Sequence, residues 1–435
     1  MTTALPEVRV EADRLPTALF EHAQDWTDLL ATRQLAEPLF YETPNVTMQS
    51  RLLGSCERLS DHAWRLTVNP QAQWSDGTHL NAQQVITALQ RAREAGAGGL
   101  LPSLMLASVK RESAREILVR TRYPLAHLER VLANPALAPH SDKTGITLGR
   151  YRRVSQNDTS LCWLATNGTH RLRWFPQPTG GADLATAEVV GPMSRAPQDW
   201  APDVLTSHAQ VAPLHFVCAL RRPQGLSNRA WQSVNDLLSD RQLCQRTRGL
   251  VLPASTLSSP WTALPPAPFE GVRNRSTTDL YRPVYYARFA GNRDLATGVS
   301  HTLRTPGTDP YPILEYDYGE SLARTIPTAG YQLVIISAPW PHPAAMLAPY
   351  LFGPTTADGL RADILAALAE PDLTRAAMMV HNAETRWNIV RQDILVLGRV
   401  VGSVASQAAR VWLPPSGWMD YSQAWEEAAS CDSNT

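Results

Sequence analysis

The segment "SAPWPHPAAML" (337–347) places an indole, Trp340, and an imidazole, His342, two positions apart among prolines. An imidazole that titrates near neutrality can donate, accept or carry a proton, so His342 is a candidate ligand contact and general acid or base. Trp340 offers a flat apolar surface for a guest molecule. In "EYDYGE" (315–320), strand alternation puts Glu315 and Asp317 on one face and Tyr316 and Tyr318 on the other. Paired carboxylates can divide acid and base roles, although an exposed strand face is the plainer reading of that pattern. Tyr41, in "AEPLFYE" (36–42), is a further aromatic candidate. The ligand-binding candidates are thus Trp340, His342, Tyr41, Tyr316 and Asp317, with His342 the one candidate for catalysis. No H-E-x-x-H, G-x-S-x-G or P-loop pattern occurs, and the histidines have no metal-ligand spacing, so neither a metal nor a cofactor is expected.

These residues need elements to hold them. "YQLVIISAPW" is an apolar run that ends at the Pro-rich loop, the pattern of a central strand opening onto a cleft. Helices are expected over 357–369 and 373–391, the second capped by Asp372, before "DILVLGRVV" returns as a strand. Earlier, "VAPLHFVCALRRP" reads as a strand and "SNRAWQSVNDLLSDRQLCQRT" as an amphipathic helix with Trp231, Val234, Leu237 and Leu238 on one face. Residues 46–140 read as a small α+β unit with a helix over 82–94. In "WSDGTHLNAQQV", Asp76-Gly77 supplies a turn, and Asn81 with Gln84 forms a capping box. The Pro-rich stretch 258–271 is expected to be a surface connection. The alternation of strand and helix makes an α/β protein of several lobes.

Composition narrows the function. The 435 residues exceed what one core usually supports, and 40 basic residues balance 40 acidic ones, which leaves no field for nucleic acid or anionic lipid. Five cysteines without a C-x-x-C pair argue against a disulfide scaffold or zinc knuckle. No stretch is long and apolar enough for membrane insertion. No export signal or lipid-anchor cysteine is legible near the N-terminus, so a cytoplasmic location is expected, or an extracytoplasmic one if a leader has been removed.

The string Trp74, Asp76, Gly77, Ala82, Val85 resembles a signature of the family 5 solute-binding proteins, the peptide- and nickel-binding components of ABC importers. The resemblance continues in order through "AEPLFYE", "ERLSDHAWRLTVNPQAQW", "SVKRESAREILVRTRYP", "ITLGRYRRVSQND", "LSNRAWQSVNDLLSDRQL" and "PDLTRAAMMVHNAETRWNIVRQDILVLGRVV". It implies a periplasmic-binding-protein-like α/β fold (class II, cluster C) with two large lobes and a small one. Lobe I would comprise 1–45, 143–222 and 401–435, lobe II 46–142 and lobe III 223–400. A ligand would be held between lobes I and III by hinge closure.

The chain also departs from the family. Peptide binders carry an aspartate shortly after the tryptophan matched by Trp340, where it pairs with the peptide's ammonium; Pro341, His342 and Pro343 stand here. An unpaired buried ammonium costs several kcal/mol, so a free peptide N-terminus is not the expected ligand. Thr147 and the "GRY" of "ITLGRY" alter the crossover loop. The reading is a monomeric protein enclosing a small organic or peptide-like molecule, with an ABC permease as partner if the chain is exported. An enzyme on the same scaffold, such as a cyclase working by positioning, is the alternative, and an effector-binding regulatory module the second; no DNA-binding helical segment is legible before residue 36.

Overall fold

The structure, a computed structural model, describes residues 5, 7–12, 14–23, 25–95, 103, 105–143, 145–156, 160–176, 198, 209–238, 242–262, 281–287, 292–304, 308–316, 328–352, 356–387, 394–405 and 412–421. The chain opens with β1 (Glu7–Ala12) and α1 (Trp26–Leu35), then a hairpin of β2 (Tyr41–Glu42) and β3 (Met48–Gln49). Next come β4 (Leu53–Ser60), β5 (Ala63–Val68), α2 (Ala82–Glu94), β6 (Leu106–Arg111), β7 (Glu116–Thr121) and the single turn α3 (Leu128–Val131). β8 (Tyr151–Gln156), β9 (Leu161–Ala165) and β10 (Arg171–Pro176) precede the long β11 (Ala209–Arg221). After α4 (Asn228–Leu238), α5 (Gln242–Gln245) and β12 (Val251–Pro253) come β13 (Val284–Ala287), α6 (Asn292–Leu303), β14 (Ile313–Tyr316) and β15 (Tyr331–Ser337). α7 (Ala348–Phe352), α8 (Asp358–Ala369), α9 (Leu373–Trp387) and β16 (Ile394–Ala405) complete the order.

Three larger sheets result. β1-β10-β9-β8 is one, β4-β5-β7-β6 a second, and β12-β16-β11-β15-β13-β14 a third. The third is mixed: β13 runs parallel to β14 and β15, whereas β11 is antiparallel to β15 and β16. Period-2 patterning explains the second sheet, where Trp64, Leu66 and Val68 of β5 and Ile117 and Val119 of β7 turn inward together. α2 lays Val85, Ile86 and Leu89 on that core. Its start is secured as expected, because the Asn81 side chain accepts from the Gln84 N–H while Gln84 Oε1 accepts from the Asn81 N–H, both at 3.0 Å. Gly77 takes φ 83°, where a side chain would be strained.

β11 and β16 bind two cores into one molecule. Ala209–Pro213 pairs with Val401–Ala405, and Val217–Arg221 with Ile394–Arg399; the register breaks between Pro213 and Val217. Within the break, Leu214 and Phe216 pack, together with Val400 and Val404 of β16, against the first sheet and α1. Beyond it, Cys218, Leu220 and Leu397 pack with α4, α6 and the third sheet. A further cluster joins the β4–β7 sheet to the 338–351 segment, α8 and α9.

One element was not legible in the sequence and one expectation is corrected. All ten residues of α1 are buried, so this helix has no polar stripe and no helical periodicity to read. The first part of the expected surface connection at 258–271 is not on the open surface: Ser258 and Thr262 are buried and 259–261 are partly buried; its remainder, from 263, lies outside the described residues.

Candidate functional site

β15 ends at Ser337, and the chain continues through Ala338, Pro339, Trp340, Pro341 and His342 into a tight turn over Pro343–Met346. The Ala338 N–H donates to the His215 carbonyl (3.0 Å), which fastens this loop to β11 at its register break. Trp340 is 1% exposed and belongs to the apolar cluster that includes Leu125, Leu128 and Met346. His342, 2% exposed, caps the following turn: its Nδ1 accepts from the Ala344 N–H (3.1 Å), so the neutral ring carries its proton on Nε2. That Nε2 is buried and has no hydrogen-bond partner among the described residues. Burial, helped by His127 and Arg130, pushes the His342 pKa down to about 3. At neutral pH His342 is therefore a hydrogen-bonding group, not a proton carrier.

Arg130, on α3, clamps the loop. Its Nη1 donates to the Pro341 carbonyl and its Nη2 to the Val46 carbonyl, each at 2.9 Å, and the guanidinium stands 3.9 Å from the Glu42 carboxyl. Asn134 adds a bond from Nδ2 to the Pro339 carbonyl (2.7 Å). Val46 holds φ 60° at the tip of the β2–β3 hairpin, an unusual conformation for a β-branched residue. Burial lowers the Arg130 pKa against the opposing pull of Glu42 and Glu129. Burial raises the Glu42 pKa to about 7, offset in part by Arg130 and the Ser416 backbone. Nearby, His127 bonds Glu129 through Nδ1 and the Pro371 carbonyl through Nε2, both at 2.8 Å, and lies 6.1 Å from His342 between ring centroids. The Glu129 bond chiefly raises the His127 pKa.

On the other flank of the loop, His215 stacks on Trp261 with ring centroids 4.1 Å apart. Burial, with Arg130 adding to it, lowers the His215 pKa to about 3. The buried His215 Nδ1 has no hydrogen-bond partner among the described residues. Trp261 is carried by a turn that Glu384 of α9 grips, accepting from the Leu257 N–H and from the Ser258 N–H (3.1 Å). His215, Arg130 and His342 thus converge on one loop from three distant stretches of chain.

The other sequence candidates lie apart from this group. Tyr41 precedes Glu42 on β2 and so points to the opposite side of the hairpin. There its ring lies 4.9 Å from the Arg51 guanidinium and its hydroxyl donates to Gln49 Oε1 (3.3 Å). Arg51 belongs to a partly buried network with Arg33, Glu37 and Asp420 at 3.2–3.4 Å. Tyr316 sits on the edge strand β14, packed with Ala287, and its hydroxyl donates to the Leu333 carbonyl (3.3 Å). Asp317 lies outside the described residues. Glu42, Arg130, Asn134, His215, Trp261 and Glu384 were not singled out by the sequence; the available signal was a lone charge inside apolar runs, as in "PLFYE" and "LERVLANPAL".

Elsewhere, a surface pocket of about 350 Å³ is lined by Trp74, Gln84, Arg91 and Asp142 among others. Its guanidinium is already engaged twice by Asp142, at 2.9 and 2.6 Å. Among the described residues no cluster of three His, Cys, Asp or Glu could hold a metal, and no helix is long and apolar enough to cross a membrane.

No protein-family model matches the sequence, and no characterised protein matches it by sequence. Solved structures do match. The murein tripeptide binding protein MppA of Escherichia coli superposes with a TM-score of 0.75 at 15% identity, over 95% of this chain and 97% of that one. OppA of Haemophilus influenzae in complex with the peptide RPPGFSPFR gives 0.76 at 12% identity, over 96% and 97%. MppA in its unliganded open form gives 0.64 at 13% identity, over 96% of both chains. With likeness along the whole length, the chain has the periplasmic-binding-protein fold.

Proposed function

We propose that the protein encloses a small organic or peptide-like ligand between a first lobe (1–45, 143–222 and 401–435) and a third (223–400), beside a small second lobe (46–142). The gap closes by bending where β11 and β16 pass between the two. The observation that carries this reading is the register break at Pro213/Val217, because it lies between two separate cores and directly beneath the Trp340 loop. The chain as a whole also superposes better on OppA holding a peptide than on MppA open and empty, with TM-scores of 0.76 against 0.64, which supports a closed form. Trp340 forms one wall, His342 and Arg130 a polar side. The protein acts as a monomer and, if exported, would hand its ligand to an ABC permease.

The enzymatic alternative rests on one observation: a buried carboxyl near 7, such as Glu42, is matched to proton transfer at neutral pH. Native mass spectrometry of the purified chain tests the first reading. A guest of defined mass is expected at about one per chain, lost in Trp340→Ala, with a larger radius of gyration in solution scattering once it is removed. Absence of any guest together with an unchanged radius would refute enclosure, and a guest that the protein converts to a new mass would favour the enzyme.

A further inference from the structure

Three polar groups around Arg130 have bonding capacity left over among the described residues: the Glu42 carboxyl, which makes no well-formed hydrogen bond and has only the Ser416 backbone near it, Arg130 Nε and His342 Nε2. The guanidinium does not satisfy Glu42: Nη1 and Nη2 each turn one N–H to Pro341 and Val46, and the approach to Glu42, 3.9 Å, is outside hydrogen-bond range. Glu42 is 6% exposed, so its unmet acceptors lie inside the protein. Buried polar atoms in native proteins are almost always paired, and each one left alone costs about 1–3 kcal/mol. The three residues come from β2, α3 and the loop after β15, which are the walls that a closing cleft brings together.

The unmet groups specify their partner. Arg130 Nε–H and His342 Nε2–H are donors and call for an acceptor; the Glu42 oxygens are acceptors and call for a donor. An ammonium would meet Glu42 but also the Arg130 charge, and the other carboxyl influencing Arg130, Glu129, is already bonded to His127. A carboxylate guest would meet Arg130 at the expense of Glu42. We propose that the junction of Glu42, Arg130 and His342 receives an uncharged amide of the ligand, and that the protein selects guests with no free ammonium there, such as blocked peptides or lactams. This rests on the enclosure reading above.

The test uses the full chain and two pools of tripeptides of identical sequences, one N-acetylated and C-amidated, the other free at both ends. Bound peptide is recovered by gel filtration and counted by mass spectrometry. The blocked pool should be enriched at least tenfold. Glu42→Gln should lower its retention about tenfold, as should His342→Asn, which keeps a cap for Ala344. Preferential retention of the free pool overturns the proposal, and the wild-type comparison needs no variant to fold. Equal retention by both variants also overturns it; if Trp340→Ala then releases the peptides, enclosure stands and only the amide junction fails. Failure to retain either pool by a chain that still carries a native guest likewise rejects the amide class alone, whereas no guest and no retention reject both readings.

Discussion

Glu384 joins a helix to the turn that carries Trp261, and its replacement has a calculable effect. Its carboxylate accepts from the backbone N–H groups of Leu257 and Ser258, and the turn so held carries Trp261 onto His215. Glutamine keeps one acceptor and turns an amide NH₂ toward the second N–H. One buried donor is then unpaired, at a cost of about 1–3 kcal/mol. Alanine frees both donors and leaves a void, for about 3–5 kcal/mol. These energies fall on a turn that opens locally, so amide hydrogen exchange over 256–262 reads them directly. At pH 8, above the Glu384 pKa of about 7 that burial imposes, the carboxylate is ionised and its grip complete. Glu384→Gln should speed exchange at Leu257 and Ser258 by roughly ten- to a hundredfold, since each 1.4 kcal/mol is a factor of ten. Wild-type exchange at those two amides, even with lower global stability, would show that Glu384 acts elsewhere in the packing.

Two further outcomes follow from single residues. Glu42 has a folded pKa near 7 against an ordinary 4.5, so its contribution is intact below pH 4.5 and is lost as pH rises through 7. Urea denaturation of Glu42→Gln should therefore show the variant gaining on the wild type by about 3 kcal/mol between pH 5 and 8, and a difference independent of pH would remove burial as the cause. At Gly149 a Cβ would lie 2.3 Å from the Leu35 carbonyl carbon and 2.5 Å from the Gln34 oxygen, backbone atoms at the end of α1 that cannot swing aside. Gly149→Ala should lose more than about 2 kcal/mol in the same assay, and a loss within 0.5 kcal/mol would mean that the crossover is loosely packed.

What the sequence determined by itself was local. The capping box at Asn81, the turn at Gly77 and the Asp372 cap, which accepts from Thr374 and Arg375, depend on partners within four residues, so their residue types suffice. The alternation of β5 and β7 and the start of α9 follow from the same short range, and the order of such signals along the chain was enough for the fold class. Only the tertiary structure decided the candidate site. Glu42, Arg130, His215 and His342 lie at least 85 positions apart along the chain, and no spacing rule links them. Their chemistry is set by burial, not by residue type: the same imidazole that would titrate near 6.5 in water stays neutral down to about 3 at His342, and a carboxyl rises to about 7 at Glu42. α1 stayed illegible for a related reason, because a helix buried on every side carries no amphipathic period. Desolvation is a property of the assembled chain, and it decides which of these groups can meet a guest.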